Sequence, residues 1–212
     1  MKNEPKTGMK IVAICGSTRK SSSNLNMIHA IQELAAIAFA PGEIEVSVLK
    51  GMIDLPHFNP DLDQERPLEK ISAQTHRILT DFRAQLKQAN AILICTPEYA
   101  GGVPGVLKNA IDWTVSSMEF SKKPTGLITA STAGHTAHRS LMGTLLTIEA
   151  RMTSETSFVI PMVKTKVNDK GEITDPATLE TAARLLRGLQ EIYEDRVPPS
   201  EYLRPPDLTK AT

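Results

Sequence analysis

The residues best suited to chemistry lie in three stretches of small polar side chains. The first, "CGSTRKSSSN" (15–24), follows directly on the apolar run "MKIVAI" and consists mainly of Gly, Ser, Thr and Asn with two cations. Hydroxyls and unpaired backbone N–H groups at the start of a helix bind anions, and a guanidinium adds a charge-assisted bond. This pattern predicts an anion site made by the following residues: Ser17, Arg19, Ser22, Ser23 and Asn24.

The motifs that this stretch lacks indicate which anion it suits. It is neither the G-x-x-x-x-G-K-[ST] nucleotide loop nor the G-x-G-x-x-G dinucleotide turn. Hydroxyls with one Arg suit a terminal monophosphate better than a pyrophosphate. The alternative is a plain turn into a helix, with Ser23 or Asn24 as the helix cap.

The second stretch, "TPEYAGGVPG" (96–105), has the composition of a loop that binds a flat ligand. Pro97 lacks a backbone donor and stiffens the loop, and Tyr99 offers an aromatic face. Gly101 and Gly102 permit a close approach of the backbone to a ligand. The alternative is an ordinary loop before a helix with Pro104 in its first turn.

The third stretch, "STAGHTAHRS" (131–140), combines small residues with two histidines and an arginine. His135 and His138 are three residues apart, without a carboxylate or cysteine nearby, and this is too little for a metal site. We therefore predict no metal ligand. The favoured interpretation of both histidines is a surface or interface position at the start of a helix.

Five strands and five helices must position these stretches. Short apolar or alternating runs predict strands at 9–15, 43–50, 91–96, 124–131 and 156–161. Helical periodicity predicts helices at 24–39, 69–89, 104–117, 137–151 and 176–195. Because predicted strands and helices alternate along the chain, we predict an α/β fold: a five-stranded parallel sheet of flavodoxin-like order 2-1-3-4-5 with helices on both faces. In such sheets ligands bind at the carboxyl ends of the strands, where the three stretches lie.

The two cysteines end neighbouring strands of this predicted sheet. Cys15 and Cys95 fit neither a disulfide framework nor a zinc motif. The favoured interpretation is two small buried residues beside the ligand. A redox pair is the weaker alternative, because a reducing compartment disfavours it.

Length and charge narrow the class of protein. The 212 residues suit one domain, which we place at 9–196 between a polar tail (1–8) and a proline-rich tail (197–212). The formal net charge of +0 gives no reason to expect nucleic acid or a membrane surface as partner. No apolar run reaches the length of a membrane span and no signal-peptide core is found, so a cytoplasmic location is expected.

Two stretches together resemble the NAD(P)H-dependent FMN reductases of flavodoxin-like fold, a family that includes quinone and chromate reductases. "GSTRKSSSN" resembles that family's G-S-x-R-x-x-S-x-N loop. "PEYAGGVPGVLKNAIDW" resembles its P-E-Y-x-x-x-x-P-G-x-L-K-N-A-[IL]-D-W signature. The resemblance runs from about residue 9 to residue 190, and it implies FMN as cofactor, NAD(P)H as co-substrate and a homodimer or homotetramer.

The resemblance also implies roles for individual residues. The first stretch would hold the FMN phosphate. The second would border the ribityl chain and the isoalloxazine ring through these residues: Pro97, Glu98, Tyr99, Ala100, Gly101 and Gly102. Ser131 and Gly134 would lie near the pyrimidine end. Four residues of the following helix would stabilise that helix and form a subunit contact rather than touch the flavin: Lys108, Asn109, Asp112 and Trp113.

The third stretch departs from the family's glycine-rich pattern, S-x-G-G-x-x-G-G or similar. Its single glycine and added bulk leave two interpretations of His135 and Arg139. Either they contact a second substrate or an NADPH phosphate, or they lie on the surface.

The implied function is hydride transfer from NAD(P)H to bound FMN and on to a small acceptor, which is a quinone, a free flavin, an azo compound or a metal oxyanion. No catalytic side chain is assigned, because the cofactor accepts the hydride and solvent supplies protons. One alternative is a flavodoxin-type electron carrier, which the balanced charge disfavours because such carriers are often acidic. The other is a flavin-binding sensor without turnover.

Overall fold

The computed structural model of the chain describes residues 8–63 and 72–206. Within them, five parallel strands form one sheet of order β2-β1-β3-β4-β5. The strands are β1 (Met9–Cys15), β2 (Ile44–Val48), β3 (Ala91–Thr96), β4 (Thr125–Ser131) and β5 (Ser157–Pro161). The predicted flavodoxin-like order is confirmed, and every strand lies within two residues of its predicted bounds.

In the same two ranges, α-helices cover both faces of the sheet. They are α1 (Ser23–Ala38), α2 (Ala73–Gln88), α3 (Gly105–Asp112), α4 (His135–Thr147) and α5 (Pro176–Tyr193). One hydrophobic cluster joins the sheet to α1 and α5, and a second joins it to α2, α3 and α4. Because β3 is buried along its whole length, its sequence is apolar without interruption up to its last residue. The first three residues of the helix predicted at 69–89 lie outside the described residues.

Helix α1 begins one residue earlier than predicted. Ser22 is its cap: the backbone there is extended, and Ser22 Oγ accepts a hydrogen bond from Leu25 N at 3.3 Å. The prediction of Ser23 or Asn24 as cap is therefore wrong, since both residues already lie in the first helical turn.

Helix α3 ends at Asp112 rather than at residue 117 as predicted. Arg83 donates to Trp113 O through both Nε (3.0 Å) and Nη2 (2.6 Å). The indole Nε1 of Trp113 donates to Pro56 O at 2.8 Å. Because these tertiary bonds hold Trp113 at the helix end, the chain leaves the helix there and continues in turns.

The segment 197–206 lies against the domain. Leu203 N donates to Met152 O at 2.9 Å, its side chain packs on the core, and Tyr202 OH bonds to the guanidinium of Arg151. The division into a domain at 9–196 and two tails stays a prediction, and residues 1–7 and 207–212 lie outside the described residues. Across the described ranges, none of the helices combines the length and apolarity needed to cross a membrane.

Candidate cofactor site

The carboxyl edge of the sheet carries a cleft of about 270 Å³. The loops after β1, β3, β4 and β5 line it. Nine predicted site residues are brought together there: Ser17, Arg19, Ser22, Ser23, Asn24, Pro97, Glu98, Tyr99 and Ser131. Four others lie outside its lining: Ala100, Gly101, Gly102 and Gly134. The position of the cleft is the one that the strand order predicts.

The chain enters the cleft at Gly16, where no side chain fits. A Cβ at this position would lie 2.2 Å from Thr96 Oγ1 and 2.6 Å from Thr96 Cβ. Thr96 is fully buried and has no room to move. Gly16 N donates to Cys95 O at 2.9 Å, which extends the pairing of β1 with β3 beyond the strand. The first loop is therefore held close to the exit of β3.

The start of α1 presents donors to the cleft. Arg19 N donates to Ser17 Oγ at 3.4 Å, and Ser17 Oγ shares a hydrogen bond with Tyr99 OH at 3.4 Å. The Arg19 guanidinium has no ion pair or hydrogen bond with any residue in the described ranges. The first turn of α1 contains no acidic residue. Together with the helix dipole, this makes the local potential positive.

Cys15 and Cys95 lie side by side beneath this loop, paired in register on β1 and β3. Cys95 Sγ donates to Asn24 Oδ1 at 3.4 Å, and Cys15 Sγ donates to Ser17 O at 3.4 Å. Burial raises the pKa of both thiols, and that of Cys95 well above its usual range. Both thiols therefore stay protonated at neutral pH and serve as donors to the loop. The two cysteines are neighbours, as the predicted strand order implies, but only Cys95 is fully buried. Their hydrogen bonds to the first loop and to α1 favour supporting residues over a redox pair.

A tight turn after β3 holds Tyr99 at the rim of the cleft. Tyr99 and Gly102 exchange two backbone hydrogen bonds, at 3.0 and 2.9 Å. Ala100 and Gly101 between them have positive φ angles of 49° and 71°. The glycine signal in the sequence thus reflects a turn, and contact of residues 100–102 with a ligand stays a prediction. The Tyr99 side chain is 48% exposed, although it is aromatic.

Glu98 links the loop after β3 to the start of α4. Its Oε2 accepts a hydrogen bond from Ala137 N at 2.7 Å. The N-cap of α4 is Gly134, which has a φ of 100° and no side chain to accept that bond. Glu98 therefore replaces the missing cap and holds the third loop against the second. Its predicted place beside a ligand stays a prediction.

His138 bonds within the fold through both ring nitrogens, so the surface or interface position predicted for it is wrong. Its Nδ1 shares a hydrogen bond with Thr129 Oγ1 (2.9 Å) and its Nε2 shares one with Ser157 Oγ (3.0 Å). Burial, and secondarily the charge of His135, lowers the pKa of His138 to about 4. His138 is therefore neutral at pH 7 and ties α4 to β4 and β5. His135 and Arg139 are exposed and do not line the cleft.

Helix α3 anchors a neighbouring loop rather than the cleft. Asn109 Nδ2 donates to Pro56 O at 2.9 Å, and Asn109 Oδ1 accepts from Phe58 N at 2.7 Å. Lys108 and Asp112 form an ion pair at 2.6 Å along the helix. The four residues predicted to make a subunit contact do not line the cleft: Lys108, Asn109, Asp112 and Trp113. Their predicted subunit contact stays a prediction.

The loop after β5 was not predicted as part of the site. It contributes Met162, Val163, Lys164 and Thr165 to the cleft. Met162 N donates to Thr132 O at 3.4 Å, which joins this loop to the one after β4. Its sequence, "MVKT", matches no motif. The available signal was positional, because any residue just after a strand lies at that edge of the sheet. Ala130 and Thr132 of the cleft were also missed.

The donor set at the α1 end fits a phosphate group. It combines the hydroxyls of Ser17 and Ser23, a guanidinium without a partner in the described residues and the N–H groups of a helix start. The same cleft carries the exposed ring of Tyr99. A ligand with a phosphomonoester and a flat ring system matches this combination.

The family profile for NADPH-dependent FMN reductase matches residues 9–165, well over half of the chain. This chain belongs to the NADPH-dependent FMN reductase family. A quinone reductase of Escherichia coli is 30% identical over 192 residues, which cover 88% of this chain and 96% of that protein. An NAD(P)H-dependent FMN reductase of Pseudomonas aeruginosa is 28% identical and covers 86% and 94% of the two chains.

A solved structure of the same fold is the flavoenzyme NAD(P)H:(acceptor) oxidoreductase FerB from Paracoccus denitrificans. It matches with a TM-score of 0.66 at 23% identity, over 92% of this chain and all of that chain. This likeness shows the fold. The family match confirms the predicted enzyme class, with FMN as cofactor and NAD(P)H as electron donor. The electron-carrier and sensor alternatives fit these findings less well than the reductase does.

Proposed function

We propose that the reductase binds FMN in this cleft, with the phosphate at the start of α1 and the ring system toward Tyr99, and that it reduces a small acceptor with NAD(P)H. When bound, FMN supplies the redox chemistry, since it accepts hydride from the nicotinamide and passes electrons on. One observation carries the proposal. A single cleft joins a positively polarised helix start to an exposed aromatic ring, and the Arg19 guanidinium in that cleft has no partner within the described ranges.

At the phosphate end, the chain supplies binding groups of three kinds. Ser17 and Ser23 donate hydroxyl hydrogen bonds, and Arg19 adds a charge-assisted one. Asn24 is left with its Nδ2 group, because its Oδ1 already accepts from Cys95. Ser22 acts on the helix itself, since its buried hydroxyl caps α1.

At the ring end, the chain orients the cofactor and shapes access to it. Tyr99 supplies an aromatic face, and Pro97 and Ser131 form neighbouring parts of the wall. Glu98 and Gly134 keep this wall in place through the start of α4. None of these side chains is needed as a proton donor, since water reaches the open cleft.

The proposed acceptor is a quinone. The support is the name of the relative that is 30% identical over nearly its whole length, a quinone reductase. Free flavin, an azo compound and a metal oxyanion are the other small acceptors that the cleft would be tested with. We further propose a homodimer or homotetramer in the cytoplasm. Two exposed apolar side chains just after α3, Val115 and Met118, support an assembly through that region.

The first test is spectroscopic. The full chain is mixed with FMN, passed through gel filtration and titrated with NADPH under anaerobic conditions. We expect the flavin band to stay with the protein and to bleach on NADPH alone. A retained band that bleaches only with a partner reductase would indicate a carrier. A retained band with no NADPH oxidation for any acceptor would indicate a sensor.

The ring assignment has its own test in the Tyr99→Ala variant. Loss of the aromatic face should weaken FMN and riboflavin binding by similar factors, because both ligands share the ring. Tyr99→Phe is the matched control, since it keeps the ring and removes only the hydroxyl that meets Ser17. If Tyr99→Ala weakens FMN alone, Tyr99 belongs with the phosphate and the proposed orientation is wrong.

A further inference from the structure

Lys164 is the cation of the cleft that no motif indicated. It lies in the 3-10 turn Val163–Thr165 after β5, and it lines the same cleft as Arg19, Ser23 and Asn24. We propose that Lys164 is the second cation for the FMN phosphate, supplied by the loop after β5 to a site built mainly at the start of α1. This inference rests on the proposed function.

The backbone around Lys164 is fixed against α1. Val163 and Val167 on either side are both 4% exposed and belong to the cluster that α1 helps to form. Asn26 in the first turn of α1 donates from Nδ2 to Asn168 O at 3.1 Å. The loop after β5 therefore crosses toward the helix start that is proposed to bind phosphate, although β5 itself is the far edge of the sheet.

A second contact between loop and helix confirms this placement. Gly171 has a φ of 77°, and a Cβ there would lie 3.2 Å from His29 Cβ and 3.5 Å from Asn26 O. The backbone of the loop is therefore packed against the first two turns of α1. The Lys164 side chain is exposed, while the buried Val163 and Val167 fix the backbone on either side of it.

The charges around the cleft leave Lys164 without a counter-ion of its own. Within the described residues, neither Lys164 nor Arg19 forms an ion pair. The one carboxylate among the lining residues is Glu98, and it accepts the hydrogen bond from Ala137 N. Two exposed cations and one engaged carboxylate make the cleft complementary to a phosphate dianion. A lysine suits this position because its ammonium acts as a mobile point charge.

The test compares FMN with riboflavin, which shares the ring and lacks the phosphate. Lys164→Gln should weaken FMN binding by about tenfold, as expected for one charge-assisted bond, and should leave riboflavin binding unchanged. The dissociation constants are read from quenching of flavin fluorescence on the full chain. High salt should shrink the FMN effect, since an exposed cation is screened.

Lys170→Gln is the matched control. Lys170 is an exposed lysine of the same segment and does not line the cleft, so its substitution should leave both constants unchanged. The comparison shows whether a change in FMN affinity comes from a contact of Lys164 or from the loss of one positive charge anywhere in the segment.

The outcomes distinguish this inference from the function on which it rests. If the wild-type chain does not bind FMN, the proposed function fails. If the wild type binds FMN and Lys164→Gln binds it equally well, only the role of Lys164 is overturned. An unchanged FMN constant with a raised KM for NADPH but not NADH would move Lys164 to the dinucleotide's 2′-phosphate and would also overturn the inference. Equal weakening of FMN and riboflavin would overturn it as well.

Discussion

Helix α1 begins in the cleft and helix α4 begins beside it, and the two helix starts differ in charge. Helix α1 is capped by the neutral hydroxyl of Ser22, and its first turn holds no acidic residue. Helix α4 begins at Gly134, and the Glu98 carboxylate accepts from its Ala137 N–H at 2.7 Å. Both helix starts attract anions. The Glu98 carboxylate already occupies the start of α4, whereas the start of α1 remains available to an anionic ligand.

This difference assigns the two ends of the cleft. The α1 end, which Arg19 and Lys164 line, is the proposed phosphate end. The α4 end is neutralised, so it suits the uncharged ring system and keeps the wall formed by Ser131 in place. We therefore expect a ligand with a phosphate and a ring system to bind in one orientation.

The largest effect is expected for Gly16→Ala at the α1 end. The new Cβ would overlap the buried Thr96, and relieving that overlap should cost about 3 kcal/mol of unfolding free energy. It should also displace the first loop and abolish FMN binding. Urea unfolding and FMN titration measure the two effects.

Gly105→Ala is the control for this substitution, because nothing lies within 4 Å of a Cβ there. It should change stability by less than about 0.5 kcal/mol. Equal stability of the two variants would show that the first loop is not held as closely as the structure indicates.

Arg19→Ala is the most direct test of the difference between the two helix starts. Loss of a charge-assisted bond of about 2 kcal/mol should weaken FMN binding roughly thirtyfold and leave riboflavin binding unchanged. Competition between the two flavins measures this. An unchanged FMN affinity would mean that the phosphate does not lie at α1, and the contrast between the two helix starts would lose its functional meaning.

Acid should loosen the α4 end before the α1 end. His138 takes up a proton at pH 6.5 when unfolded and only near pH 4 when folded, so its contribution is complete above pH 6.5 and is lost as the pH falls toward 4. After allowance for partial exposure, the loss amounts to about 1–2 kcal/mol. Urea unfolding at pH 7.5 and pH 5 measures it.

The His138→Gln variant should show a smaller loss over this range. His135→Gln should reduce the loss only slightly, because His135 is the lesser cause of the lowered pKa of His138. Amide protection factors, which are corrected for the intrinsic exchange rate, should fall at pH 5 more in α4 than in α1. If they fall equally in both helices, His138 does not control the start of α4.

The smallest effect is expected for Glu98→Gln. The amide oxygen can still accept from Ala137 N, so only the charge at the helix start is lost, which costs about 0.5–1 kcal/mol. FMN affinity should not fall, because the phosphate is proposed to bind at the start of α1. Thermal unfolding and FMN titration check both parts, and a marked loss of FMN affinity would place the phosphate nearer α4.

The sheet was predictable because each strand carries its own signal. The uninterrupted apolar run of β3 indicates burial on both faces of the sheet. Strands that alternate with helices along the chain are enough to predict a parallel sheet. The part of the cleft that the first loop lines was predictable for the same reason, since Ser17, Arg19 and Asn24 are close in sequence. The cap Ser22 was misplaced by one residue, because several adjacent serines offer the same chemistry.

The elements that sequence reasoning missed depend on contacts between distant residues. The end of α3 is set by Arg83, thirty residues away, and the role of Glu98 is set by a helix start that only the fold brings near it.

The sequence alone determined the fold class, the family, the cofactor and most of the α1 end of the cleft, because those signals lie in short contiguous runs. The tertiary structure decided that Lys164 lines the cleft, that the Glu98 carboxylate lies at the start of α4 and that His138 ties α4 to β4 and β5. Each of these depends on which strands are neighbours and on how loops cross the sheet edge, and residue types along the chain do not encode those distances.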